Sequence, residues 1–141
     1  MPLLPCVMLV DDDQTTNFLN QTLLTRLKVT DRLFVARDGA DALALLREYC
    51  EPPSPNCPAL LLLDVNMPGM NGIQFLEAYQ HLPQARAHVT VIVMLTTSLH
   101  PNDVARVREL NLVADFITKP LTVEKVSNLL RTHFGQELPT S

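Results

Sequence analysis

Asp64 closes the apolar run Ala59-Leu60-Leu61-Leu62-Leu63 and is followed by Val65-Asn66-Met67-Pro68-Gly69-Met70-Asn71-Gly72. A lone carboxylate at such a place can attack phosphorus and form an acyl phosphate. Phosphoryl transfer requires in-line positioning and neutralisation of charge on the oxygens. Other parts of the chain hold groups of the right types. Asp11-Asp12-Asp13 follow the run Cys6-Val7-Met8-Leu9-Val10. Carboxylates gathered from there and from Asp64 repel one another and raise each other's pKa values unless a cation intervenes. Mg2+ takes about six oxygen ligands, usually one or two of them carboxylates, and leaves the rest to water and phosphate. Lys119 offers an ammonium as a mobile point charge. Thr96 offers a hydroxyl for a third phosphoryl oxygen. One nucleophile, one metal site, one cation and one hydroxyl account for such chemistry.

These residues can act together only if the fold gathers them. Cys6–Val10 reads as a strand buried on both faces. Thr15–Lys28 has helical spacing, with Phe18, Leu19, Leu23, Leu24 and Leu27 as its apolar positions. Leu33–Ala36 is a second strand, and Arg37-Asp38-Gly39 turns into a helix over Gly39–Tyr49, with Ala42, Leu43, Leu45 and Leu46 inward. Cys50–Pro58 carries Pro52, Pro53, Pro55 and Pro58 and reads as a surface loop. Ala59–Leu63 is the third strand and Asn71–Leu82 the third helix, with Ile73, Phe75, Leu76 and Tyr79 apolar. Val89–Leu95 is the fourth strand, ending at Thr96-Thr97-Ser98. Pro101–Leu110 is the fourth helix, with proline in the first turn where its missing N–H costs nothing. Ala114–Thr118 is the fifth strand. Thr122–Phe134 is the last helix, capped by Thr122 with Lys125 on its outer face.

Strand and helix alternate five times, which predicts an α/β fold: a parallel sheet with helices on both faces. In such sheets ligands bind beyond the carboxyl ends of the strands, where the strand order switches. The residues with chemistry sit at those ends: Asp11–Asp13, Asp64, Thr96 and Lys119.

Composition narrows the function classes. The 141 residues make one domain, with a core over about residues 6–134 and a tail over 135–141. Hydrophobic residues make up 47% and charged residues 18%, as expected of a globular chain. No apolar run approaches a membrane span, and Met1-Pro2-Leu3-Leu4-Pro5 lacks the basic flank of a secretion signal. With net charge −4 and no Lys/Arg run, direct binding to nucleic acid is not expected. Cys6, Cys50 and Cys57 are odd in number and lack zinc spacing. Free thiols in a reducing cytosol are the expectation, with a Cys50–Cys57 bridge as the alternative. His81, His88, His100 and His133 are scattered and read as surface polar residues.

The set Val10-Asp11-Asp12, Leu63–Gly72, Leu95-Thr96 and Lys119-Pro120 resembles the receiver domains of two-component response regulators, nearest in form to the stand-alone, CheY-like kind. The resemblance covers about Cys6 to Phe134. It implies a flavodoxin-like, doubly wound sheet of five parallel strands in the order 2-1-3-4-5 with five helices. It implies that Asp64 accepts a phosphoryl group from a sensor histidine kinase or phosphotransfer protein. Asp12, Asp64 and the Asn66 backbone carbonyl would ligate Mg2+, with Asp11 holding it partly through water. Thr96 and Lys119 would bind the phosphoryl oxygens. Phe116 matches the family's aromatic switch position, and Lys119-Pro120 would be a cis peptide. The output would be a reshaped protein-interaction face of fourth helix, fifth strand and fifth helix, in a cytoplasmic monomer or weak dimer. Beyond its own phosphorylation and dephosphorylation, no enzyme activity is implied.

Three features depart from the family's common pattern. Three consecutive Asp also permit Asp12-Asp13 as the acid pair. Asp11-Asp12 is preferred because it begins directly after the strand, leaving Asp13 for the loop or a helix cap. The Cys50–Pro58 loop is long. Thr96-Thr97-Ser98-Leu99-His100-Pro101 carries one extra residue, which keeps Thr97 as a reserve for the hydroxyl role. Taken singly the residues have plainer readings: Asp11–Asp13 a solvated turn, Met67-Pro68-Gly69 a loop, Lys119 a surface lysine and Phe116 a core residue. An aspartyl phosphatase would want a second Asp two residues after the nucleophile, where Asn66 stands. A receiver fold that is never phosphorylated would lack Asp64, Asp12 or Lys119, and all three are present.

Overall fold

The computed structural model describes residues 3–52, 54–67, 69–83, 85, 89–97 and 100–138. Pro53, Pro68, His88, Ser98 and Leu99, named above, lie outside these, as do both extreme termini. Among the described residues the elements are β1 (Val7–Val10), α1 (Gln14–Arg26), β2 (Leu33–Ala36), α2 (Gly39–Cys50), β3 (Leu60–Leu63), α3 (Gly72–Tyr79), β4 (Val91–Thr96), α4 (Pro101–Leu110), β5 (Val113–Thr118) and α5 (Val123–Phe134).

Local chemistry starts and stops the helices. Asp13, Asp38, Asn71, His100 and Thr122 each accept a backbone N–H at a helix start, satisfying donors that have no partner within the helix. Asn71 and Gln74 complete a reciprocal capping box. At the other ends, Asn111 (φ 53°) and Gly135 (φ 61°) turn left-handed and halt α4 and α5.

The strands form one parallel sheet in the order β2-β1-β3-β4-β5. The period-two alternation of side chains divides each strand between two cores. Met8, Val10, Leu61, Leu63, Ile92 and Met94 face α2, α3 and α4, meeting Leu46, Phe75, Leu76 and Val107. Val7, Leu9, Leu60, Leu62, Val93 and Leu95 face α1 and α5, meeting Leu24, Val126, Leu129 and Leu130. The Leu60–Leu63 run is uniform in type because both of its faces are buried.

Four expectations change. Phe18 and Leu19 are 65% and 59% exposed, whereas Asn17, Asn20 and Leu24 are the buried positions of α1. The inward stripe thus begins with two asparagines, which hides it from a reading by hydrophobicity. Cys50 and Cys57 are bonded to each other, with Cα atoms 4.8 Å apart, and only Cys6 is free. The loop folds back far enough to bring them together, so the bridge replaces the expected thiols. Thr96 is the last residue of β4 instead of the first beyond it. His133 is not a lone surface residue: its ring lies 3.0 Å from the Asp115 carboxylate.

Candidate phosphoacceptor and cation site

Register delivers the acidic residues. Val10 on β1 pairs with Leu63 on β3, so Asp11 and Asp64 leave the sheet side by side. Their amides are still held by it, Asp11 N–H donating to Ala36 O (3.0 Å) and Asp64 N–H to Val10 O (2.9 Å). β1 and β3 are also the strands between which the order reverses, the place where such sheets open a crevice. At the neighbouring pair, Thr96 on β4 is level with Thr118 on β5. The Lys119 amide donates to Thr96 O at 2.8 Å.

The structure therefore brings Asp11, Asp12, Asp64 and Lys119 together. One carboxylate oxygen from each of Asp11, Asp12 and Asp64 lies within 4.8 Å of the others. Asp11 and Asp64 are buried, and Asp12 is exposed. The Lys119 ammonium is 2.8 Å from Asp11 Oδ2 and 3.4 Å from Asp64 Oδ1. Thr96 is buried at the same edge. Asn66 is exposed two residues beyond Asp64. Asp13 does not join the cluster; its side chain caps α1 and bonds the Thr16 hydroxyl. That hydrogen bond above all holds its pKa below the usual carboxylate value. Asp11 and Asp12 are thus the consecutive pair whose carboxylates converge with Asp64. Phe116 is 39% exposed and lines a cavity of about 310 Å³ between α4 and β5, together with Thr96, Thr97, Val104, Arg108 and Ile117. Thr97 is exposed. The Lys119–Pro120 peptide is cis, as is Glu51–Pro52.

Close packing holds the reactive edge in place. Asp64 Oδ1 accepts the Val65 N–H at 2.9 Å. Gly72 donates to Val65 O and lies so close that a Cβ there would stand 2.5 Å from Asp64 O. Gly39 N–H donates to Met70 O at 2.9 Å, tying the start of α2 to the loop after Asp64. Asn17, absent from the sequence-based candidates, donates through Nδ2 to Asp11 O at 2.9 Å and is buried. Its only signal in the sequence was its place three residues before Asn20 and seven before Leu24 on the inward stripe, legible once the helix face is known.

The electrostatics are those of a site short of positive charge. Three carboxylates face one ammonium. Burial raises the Asp64 pKa, the Asp11 carboxylate raises it further, and Lys119 only partly offsets both. For Lys119, burial alone would favour the neutral amine; the hydrogen bond to Asp11 and the charges of Asp11 and Asp64 outweigh it and raise the pKa. An all-oxygen, anionic donor set with one exposed member suits a hard divalent cation.

The comparisons with known proteins agree with this geometry. The profile of the response regulator receiver domain matches residues 7–131. Response regulator Rcp1 of Synechocystis is 29% identical over 125 residues, covering 89% of this chain and 83% of that protein. The structure of its Mn(2+)-bound form superposes with a TM-score of 0.70 at 28% identity, covering 96% of this chain and 99% of that one. A two-component response regulator from Cytophaga hutchinsonii superposes at 0.80 and 27% identity over 93% of this chain and 97% of that one. The phosphorylated cyanobacterial phytochrome response regulator RcpA does so at 0.73 and 27% over 96% and 98%. With the five-stranded order and the acidic edge in hand, the conclusion is that this chain belongs to the response regulator receiver domains of two-component signal transduction.

Proposed function

We propose that Asp64 is the phosphoacceptor of a single receiver unit spanning about residues 6–134. The observation that carries this reading is the convergence of Asp64 with Asp11, Asp12 and Lys119 at the carboxyl edge of β1 and β3. An Asp64 carboxylate oxygen attacks the phosphorus of a phosphohistidine on a sensor kinase or phosphotransfer protein. The P–N bond breaks, its electron pair stays on the imidazole, and an aspartyl phosphate forms. Lys119 moves from the carboxylates toward the transferred oxygens, and the Thr96 hydroxyl donates to another. Asp12, Asp64 and the Asn66 carbonyl would hold Mg2+, with Asp11 beside them in the same acidic cluster. When bound, that ion draws charge from the phosphoryl oxygens.

Phosphorylation adds a charge of about −2 beside Lys119. Thr96 is drawn toward it, and the Phe116 ring turns from its exposed position into the cavity beside α4. The face of α4, β5 and α5 is thereby reshaped for a protein partner. The protein acts in the cytoplasm, as a monomer or weak dimer, and catalyses only the gain and loss of its own phosphoryl group. Incubation with acetyl phosphate and Mg2+ tests this. A covalent phosphoryl adduct, seen by intact-protein mass spectrometry and lost in Asp64→Ala, is expected. An adduct that survives that substitution, or no adduct on the parent chain, refutes it.

A further inference from the structure

We infer that Lys125 is a positioning residue for Lys119, an inference that rests on the roles proposed above for Asp64 and Lys119. Lys119 sits in a short turn between β5 and α5. Reach matters there, because its ammonium meets Asp11 at 2.8 Å but Asp64 only at 3.4 Å. A small displacement of the turn loses the second contact. On one side the turn is fixed by the Lys119 N–H bond to Thr96 O. Pro120 brings no N–H of its own. On the other side the Lys125 ammonium donates to Thr118 O at 2.6 Å and to Pro120 O at 3.0 Å. Those carbonyls belong to the residues immediately before and after Lys119, so the clamp brackets it.

Lys125 is itself anchored. Its N–H is held by the Thr122 cap at 3.2 Å, and it stands one turn into α5, beside Val126 and ahead of Leu129 and Leu130 in the core. An ammonium suits the task because it carries three donors and no acceptor. Both contacts, at 2.6 Å and 3.0 Å, lie within hydrogen-bond reach, and a charged donor strengthens each. The clamp thus links the packed body of α5 to the backbone that carries the active-site cation, and misplacement by a fraction of an ångström slows a reaction that depends on alignment.

The test uses the full chain with Lys125→Met and Lys125→Arg. In Lys125→Met, amide hydrogen exchange at Lys119 is expected to quicken about tenfold while β1 and β3 amides keep their rates. Labelling by acetyl phosphate at saturating Mg2+ should slow about fivefold, with the Mg2+ dissociation constant within about twofold of the parent. Lys125→Arg, which keeps a cationic donor, should restore both. Unchanged exchange at Lys119, a uniform rise across the sheet, or an Arg variant as impaired as Met each overturns the inference. If the parent chain takes no label at all, the proposed function fails, and the exchange measurement still judges Lys125.

Discussion

The two ends of the sheet solve opposite problems. At the amino ends of the strands, neutral groups bond one another: Thr90 Oγ1 donates to Pro58 O at 2.8 Å, Ala59 N–H to Cys6 O at 2.9 Å and Leu4 N–H to Val29 O at 2.8 Å. The Cys50–Cys57 bond closes the long loop there. At the carboxyl ends, Asp11 and Asp64 are buried beside Asp12 with Lys119 as counter-charge. Burying like charges costs stability, and that cost stands ready to be relieved by a cation. One end of the molecule is finished by the chain itself; the other is left for ligands to finish.

The sharpest break of this contrast is Asp64→Ala. It should abolish acetyl phosphate labelling altogether, while thermal melting shows a folded protein. Lys119→Met should slow labelling about 100-fold, read from the same mass-spectrometric time course, because it removes the ammonium that lies 3.4 Å from Asp64 Oδ1. Gly72→Ala forces a Cβ against the Asp64 backbone. A loss of about 2 kcal/mol in denaturant unfolding is expected, together with slower labelling. A variant as stable as the parent would show that the close approach is not required. Replacing Cys50 and Cys57 together by Ala should cost about 2 kcal/mol, given a loop of sequence separation 7. Labelling should keep its parent rate, and a change there would mean that the two ends are coupled.

The smallest expected effect concerns pH. In metal-free protein the Asp64 pKa is raised, so the folded chain holds that proton to higher pH than the unfolded chain. Stability is then lost as pH rises from the unfolded carboxylate value through the folded one. Asp64→Asn in the presence of chelator should therefore be more stable than the parent near pH 7, with the gain vanishing in acid, where the Asp64 carboxyl is itself uncharged. A gain that persists in acid would assign the effect to something other than charge.

Much of the fold was legible because both faces of β1 and β3 are buried. That makes Val7–Val10 and Leu60–Leu63 continuous apolar runs, each ending abruptly at an aspartate. α1 was legible as a helix but not in its facing: Asn17 and Asn20 turn inward because Asn17 has a backbone carbonyl to bond, while Phe18 and Leu19 are left outside. The Cys50–Cys57 bond was not legible, since a separation of seven residues says nothing about whether a proline-rich loop doubles back.

Residue types and their order along the chain were enough to determine the alternation of strand and helix, the carboxylates at the strand ends and the family they imply. Which acid pair converges, where Phe116 points and what grips the Lys119 turn were decided only in three dimensions. The reason is physical: strand ends are local events, set by where apolar side chains stop. The reach of an ammonium to two carboxylates depends instead on register between strands and on a helix packed more than a hundred residues from Asp11.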